Sequence, residues 1–382
     1  MEKTMYVTGA GRTKFGPLKQ TIPELLYEAM YKAVEDSSMD AKEIEAVYVG
    51  NFCAGPFQNQ LHMNSLVAGL LPANDIPIIR VESACASASL ALHQALKDLS
   101  RYSKILVVGV EKMTGVDGKK ASEYISSAGD VLLDQSQGLI FPASYALIAA
   151  QHMRKYGTTT DDLALVSLKN HENANLNELA HFYHKKVTLE MIMNSPVVCT
   201  PLRLFDCSPI SDGAAALVIS NEKSTDRDVE LSASQLATDT LSLSQRKDLT
   251  TFKATKKAGK LALEQAGITQ KDVDLVQVHD CFTIAELVAL EDLGFAQPGK
   301  AAEMVREGRT KLDGDLPVNT DGGLKGDGHP IGATGIAEVY ELVVQLRGEA
   351  GKRQVDGAKV GLAQNIGGVG GTALVHILGR PD

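Results

Sequence analysis

The stretch Val81-Glu-Ser-Ala-Cys-Ala-Ser-Ala-Ser-Leu-Ala-Leu-His-Gln-Ala-Leu-Lys-Asp-Leu99 follows an apolar run, Ile76-Pro-Ile-Ile79, that is short enough for a strand. From Leu90 onward Leu92, Ala95, Leu96 and Leu99 recur at helical spacing, so the pattern predicts a turn entering a helix with Cys85 at the junction. Free backbone N–H groups and the helix dipole favour an anion there, and a thiolate is one. Ala84, Ala86, Ser87 and Ala88 are small enough to let a bulky acyl group approach. Taken alone, the stretch fits a buried structural cysteine equally well, because free cysteine is among the most buried residue types.

The whole chain narrows the field. Its 382 residues suffice for two or three domains with sizeable cores. A net charge of -9 leaves no basic footprint, so no nucleic-acid partner is expected. No run approaches the roughly 18 apolar residues of a membrane span, so no membrane association is expected either. The N-terminal Met1–Ala10 reads as a first strand rather than a secretory leader, and Gly379-Arg-Pro-Asp382 is not a peroxisomal address. Cys53, Cys85, Cys199, Cys207 and Cys281 stand singly, and no histidine has metal-ligand spacing with them. These features predict a reduced, cytoplasmic protein without a structural metal.

Working outward from the central stretch, the chain repeats itself. Residues 23–36 form an amphipathic helix candidate carrying Leu25, Leu26, Ala29, Met30, Ala33 and Val34, followed by the strand-like Ile44–Gly50. Residues 252–282 give the same helix, turn and strand, with Gly267 ending the helix and Val273–Val278 as the strand. At a constant offset of 229 the copies share Ala29/Ala258, Ala33/Ala262, Glu35/Glu264, Lys42/Lys271, Val47/Val276 and Val49/Val278. The second parts agree too. Cys85 and its helix lead to the buried strand Lys104–Glu111; His329 opens a helix that leads to the strand Ala358–Ala363. This is an internal duplication of an α/β unit. Stacking two such halves would bring equivalent strand ends together, where a site forms. Residues 113–198, richer in Asn, His, Ser and Lys with short helices such as Ser144–Tyr156, read as an inserted loop domain. Leu204–Ile219 then returns to complete the first half. The expected domains are 1–112 completed by 199–224, the insertion 113–198, and a second half 225–382.

Three further stretches carry chemistry: His279-Asp-Cys-Phe-Thr283 at a strand end, the turn Gly326-Asp-Gly-His-Pro-Ile-Gly-Ala-Thr-Gly335, and Asn365-Ile-Gly-Gly-Val-Gly-Gly371 after the last buried strand. Each has an ordinary structural reading: a strand-end histidine, a core thiol, loop punctuation, a glycine packing site. Together with Cys85, and in this order, they resemble the thiolase superfamily over essentially the whole chain. The His-Asp-Cys-Phe stretch, Asp206-Cys-Ser-Pro-Ile-Ser-Asp-Gly213 and the absence of cysteine at 365 resemble its sterol-carrier-type branch. The closing Gly348–Val355 and Thr372–Leu378 look like archaeal and related bacterial acetyl-CoA acetyltransferases.

The resemblance implies an α/β fold of duplicated layered α/β/α halves on mixed five-stranded sheets. It also implies a ping-pong acyltransferase that condenses two acetyl-CoA to acetoacetyl-CoA or cleaves a 3-ketoacyl-CoA, with coenzyme A as substrate and no cofactor. Carried over residue by residue, Cys85 is the acylated nucleophile, because a thiolate both attacks and leaves well. His329 takes its proton and supports the first oxyanion, His279 together with a water donates to an enolate oxygen, and the backbone N–H groups of Cys85 and Gly367 form a second oxyanion hole. Related enzymes place an acid–base cysteine where this chain has Asn365, and Cys281 fills that gap as the group moving the α-proton. Cys53, Cys199 and Cys207 match no catalytic position. Phe141-Pro142 stands where many thiolases carry Met-Gly, so no CoA-contacting residue is assigned. The resemblance further implies a homodimer or homotetramer, a small OB-fold zinc-ribbon partner and HMG-CoA synthase as the next enzyme. Two rival readings keep the fold: an acyltransferase with a non-CoA acceptor, and a non-catalytic acyl-CoA-binding subunit.

Overall fold

The duplication in sequence is a duplication of structure. The computed structural model describes residues 5–72 and 75–380. Its first copy runs through β1 (Tyr6–Arg12), α1 (Ile22–Asp36), β2 (Ala46–Gly50), β3 (Ile78–Val81), α2 (Ser87–Asp98), β4 (Lys104–Glu111) and, after the insertion, β5 (Gly213–Ser220). The insertion carries α3 (Phe141–Tyr156) and α4 (Thr160–Ala174). The second copy runs through β6 (Val229–Thr238), α5 (Lys253–Ala266), β7 (Leu275–Val278), α6 (Thr334–Leu346), β8 (Val360–Gly367) and β9 (Thr372–Gly379).

The strands form one mixed sheet in the order β3-β2-β4-β5-β1-β6-β9-β8-β7. Each half is wired alike. β2 is parallel to β3 and β4, while β5 is antiparallel to β4 and β1. In the copy β7 is parallel to β8, and β9 is antiparallel to β8 and β6. The halves meet through Tyr6↔Glu230 and Val7↔Val229, which join the two sheets edge to edge. The copy's fifth member is reduced to a single parallel bridge, Val276↔Val318.

Alternation along the strands explains the layers. In β4, Leu106, Val108 and Val110 pack under Leu25, Leu26 and Ala29 of α1; Ile105 and Val107 face the other way. That second face is covered by Leu92 and Ala95 of α2 together with Ile336 and Val339 of α6. Both faces are therefore dry, and these strands read as unbroken apolar runs. Helices α2 and α6, one from each half, pack against each other in the middle layer. On the far side α5 covers β6 and β9. The insertion shares the second half's core: Tyr145, Ile148 and Leu163 pack in one cluster with Val276 and Leu287.

Several boundaries move for physical reasons. The strand expected at Ile76–Ile79 pairs only from Ile78, since Pro77 has no N–H to donate. The helix expected to open at His329 starts at Thr334, because Pro330–Ala333 make a turn first. Asn365–Gly367 lie within β8 rather than after it, and a further strand, β9, follows. Of the first-strand reading, residues 1–4 lie outside the described residues.

One buried ion pair ties the halves near the site. Arg12, at the end of β1, grips Asp327 through two bonds of 2.8 and 3.0 Å, and Asn177 of the insertion adds a third at 3.1 Å. Both charged side chains are shut away from water. Breaking a buried pair from one side strands the other charge. Arg12→Leu is expected to lower stability by about 3–5 kcal/mol, read from the urea midpoint; an unchanged midpoint would mean that Asp327 finds another partner.

Candidate active site

Cys85 sits on a tight elbow between β3 and α2. Ala84 has φ +50, a left-handed conformation that costs energy in a residue with a Cβ. Side chains hold it there. The Ser87 hydroxyl donates to the Ala84 carbonyl (2.6 Å) and accepts the Ser83 N–H (2.9 Å), and Glu82 accepts the Ala84 N–H (2.6 Å).

His329 arrives from the equivalent place in the other half, the turn before α6. Glu111, at the end of β4, clamps that turn to the first half by accepting N–H bonds from Gly332 (3.1 Å), Phe52 (2.9 Å) and Cys53 (3.1 Å). Close approach is possible because Gly109 and Gly332 lack side chains: a Cβ on Gly109 would lie 2.4 Å from the Gly332 carbonyl. The imidazole is oriented by Thr334, 2.7 Å from its Nδ1. Thr334 spends its own proton on the Pro330 carbonyl (3.0 Å), so its oxygen accepts from Nδ1–H and Nε2 is left bare.

The third edge comes from the loop after β7. Asp280 anchors it, accepting the Leu324 N–H (2.6 Å) and the Asn170 side-chain amide (2.6 Å). His279 lies edge-to-face with His329, ring centroids 5.0 Å apart, and its Nδ1 is 2.9 Å from the amide nitrogen of Asn365. One ring nitrogen of each histidine and the Cys85 Sγ all fall within 4.8 Å of one another. Cys281 lines the same cavity, in hydrogen-bond contact with Tyr145, whose hydroxyl donates to the Gly368 carbonyl (3.0 Å) and whose ring stacks on Phe282.

Burial keeps these groups neutral. It pushes the Cys85 thiol up to about 12, opposed by the backbone N–H groups of Gly368 and of Cys85 itself. The thiolate expected from the helix terminus is therefore not the resting form. Burial also lowers His329 to about 3, and lowers His279 well below the ordinary imidazole range with help from His329. Cys281 is raised by burial first and by the proximity of Cys85 second, while Tyr145 pulls it back. Among the described residues Cys85, His279 and His329 are also the one set close enough to share a metal ion.

The cavity is about 230 Å³ and mostly apolar, walled by Phe52, Met113, Ile125, Ile210, Phe282 and Ile331. Phe141 and Pro142 belong to this wall, and so does Cys207, which the sequence reading left as structural. Gly367 closes β8 against the Ser83 carbonyl, and the N–H turned to the Cys85 sulfur is that of its neighbour, Gly368. Cys53 and Cys199 do not line the cavity. Sequence reasoning passed over Tyr145, Thr334 and Glu338. Thr334 and Glu338 stand four apart on the helix behind His329, the one signal that could have marked them.

Known proteins fit this geometry. Residues 5–223 match the family described as thiolase, N-terminal domain, and residues 236–380 match thiolase C-terminal domain-like. An acetyl-CoA acetyltransferase of Methanothermobacter thermautotrophicus is 48% identical, over 98% of this chain and 99% of that one. Sterol carrier protein 2 of Bos taurus is 32% identical over 100% of this chain and 74% of its own length. In fold, the Ltp2-ChsH2(DUF35) aldolase superposes with a TM-score of 0.86 at 23% identity, covering 99% of this chain and 98% of that one. With family matches over residues 5–223 and 236–380 and a relative 48% identical over 98% of this chain, the protein belongs to the thiolase family.

Proposed function

We propose that this protein moves acetyl groups between coenzyme A thioesters through an acyl-Cys85 intermediate, condensing two acetyl-CoA to acetoacetyl-CoA and cleaving it in reverse. The observation that carries this is the convergence of Cys85, His279 and His329 within 4.8 Å, with Cys85, His329 and Cys281 lining one apolar cavity. The 48% identical acetyl-CoA acetyltransferase supports the choice of acyl group.

The steps follow from the protonation states. The bare Nε2 of His329 takes the Cys85 proton as Sγ bonds to the thioester carbonyl carbon. The backbone N–H of Cys85 and the Gly367–Gly368 turn hold the acyl oxygen. Coenzyme A departs with the proton of Cys281. Facing an acylated Cys85 sulfur that carries no charge, the Cys281 thiolate meets no opposing anion there. It takes the α-proton of the second acetyl-CoA, and His279 donates to the enolate oxygen. The enolate carbon bonds to the acyl carbon, the bond to Sγ breaks, and His329 returns the proton to Cys85. Every group ends as it began.

All five cysteines are free thiols, which suits the reduced cytoplasm we assign. Among the described residues no helix is long and apolar enough to cross a membrane. We extend the reading, on family resemblance, to a homodimer or homotetramer that works with a small OB-fold zinc-ribbon protein and feeds HMG-CoA synthase.

Intact mass after mixing with acetyl-CoA should show one added acetyl group on the wild type and none on Cys85→Ser, with acetoacetyl-CoA in the wild-type tube. Acetylation without condensed product would favour a different acceptor, and no acylation by any CoA thioester would leave a binding subunit. Cys281→Ala should acetylate more slowly, because the departing coenzyme A loses its proton donor, and should lose condensation by about 10²–10⁴-fold; full condensation would remove Cys281 from the chemistry. Because burial holds the Cys85 thiol up near 12, its alkylation by iodoacetamide should keep rising with pH through 9. A plateau below pH 7 would reveal a preformed thiolate–imidazolium pair instead.

A further inference from the structure

The two active-site histidines are held in opposite ways by one face of α6. Thr334 receives the Nδ1 proton of His329, leaving a bare Nε2. One turn later Glu338 faces His279 across Asn365. The Asn365 amide nitrogen is 2.9 Å from His279 Nδ1 and 3.4 Å from Glu338 Oε1, and that oxygen is 3.7 Å from Nδ1. An amide nitrogen donates only, so Nδ1 accepts and the ring proton resides on Nε2. His279 Nε2 is fully buried and has no protein partner, and the ring places one of its nitrogens within 4.8 Å of the Cys85 sulfur. A buried donor without a partner is costly unless a ligand oxygen fills the gap.

We propose that Glu338, acting through Asn365, is a positioning residue that fixes His279 as a donor, so that α6 sets one histidine as base and the other as acid. The inference rests on the thiolase reading above. Reversing the Asn365 amide would turn its oxygen to Nδ1, draw the ring proton there and leave Nε2 with a lone pair against an anionic enolate oxygen. Glu338 Oε1 opposes that reversal by offering the amide nitrogen an acceptor. It accepts whether or not the other carboxyl oxygen is protonated, so glutamine should replace it. Gly335 leaves room for the amide oxygen on the opposite side, where a Cβ would lie 2.8 Å from Asn365 Oδ1. Acetylation of Cys85 draws on His329 and Cys281 but not on His279, whereas release of an acetyl-CoA enolate from acetoacetyl-CoA needs His279.

That split is the test, made on Glu338→Leu, Glu338→Gln and Asn365→Asp. Intact mass follows acetylation by acetyl-CoA, and loss of acetoacetyl-CoA in the presence of coenzyme A follows cleavage. For Glu338→Leu we expect cleavage kcat to fall about 10- to 100-fold, short of deleting an oxyanion donor outright, while KM and acetylation stay within about twofold. Glu338→Gln should cleave within about threefold of wild type, and Asn365→Asp, which swaps the donor for an acceptor, should fall about 10²-fold or more. Wild-type cleavage by Glu338→Leu would overturn the proposal. So would equal losses in the Gln and Leu variants, or acetylation falling along with cleavage, since Glu338 would then support the pocket as a whole. A wild type that never acetylates would fail the thiolase reading first and take this proposal with it.

Discussion

Everything at the site depends on how closely the backbone of β4 approaches the turn that carries His329. Two glycines, Gly109 and Gly332, allow the approach, and the Glu111 carboxylate secures it through the Gly332 N–H. A side chain at either glycine would push the halves apart. With them in contact, α2 and α6 lie together in the middle layer, and the turns before them deliver Cys85 and His329 to one point. The Arg12–Asp327 pair reinforces the same junction two residues from His329. The chemistry is thus built on the seam of a duplication, where neither half holds a complete set of groups.

The duplication is symmetric in wiring and asymmetric in chemistry. At the shared offset of 229, Cys281 in the loop after β7 answers to Phe52 in the loop after β2, and both line the cavity. One supplies a thiol and the other an apolar wall. The turns before α2 and α6 likewise differ, one carrying Cys85 and the other His329. Keeping the strands and helices common while the strand-end loops differ fits the general placement of function on loops held by a rigid scaffold.

Burial then decides how the groups behave. A dry cavity disfavours charge on the thiols and imidazoles alike, so direction has to come from hydrogen bonds rather than standing charges. Thr334 and Asn365 supply it, each through the Nδ1 of one ring. The same dryness strengthens any bond made to an oxyanion in the cavity, because no water competes for it.

Local sequence determined the repeated α/β unit and the turn-to-helix setting of Cys85, and its motifs carry the resemblance that implies roles for His279, Cys281 and His329. Those features are written in apolar periodicity, glycine placement and the order of motifs along the chain. Tertiary structure alone decided that the two sheets join through β1 and β6, that Gly368 turns its N–H to the nucleophile, and that Phe141 and Cys207 wall the cavity. It also set the direction in which the nucleophilic position is pushed: the helix terminus at Cys85 favours a thiolate, and burial raises the thiol against it. Periodicity reports which face of a helix or strand is dry. It carries no record of which distant backbone or carboxylate will stand against that face, because such contacts form between residues separated by hundreds of positions, as Glu111 and Gly332 are.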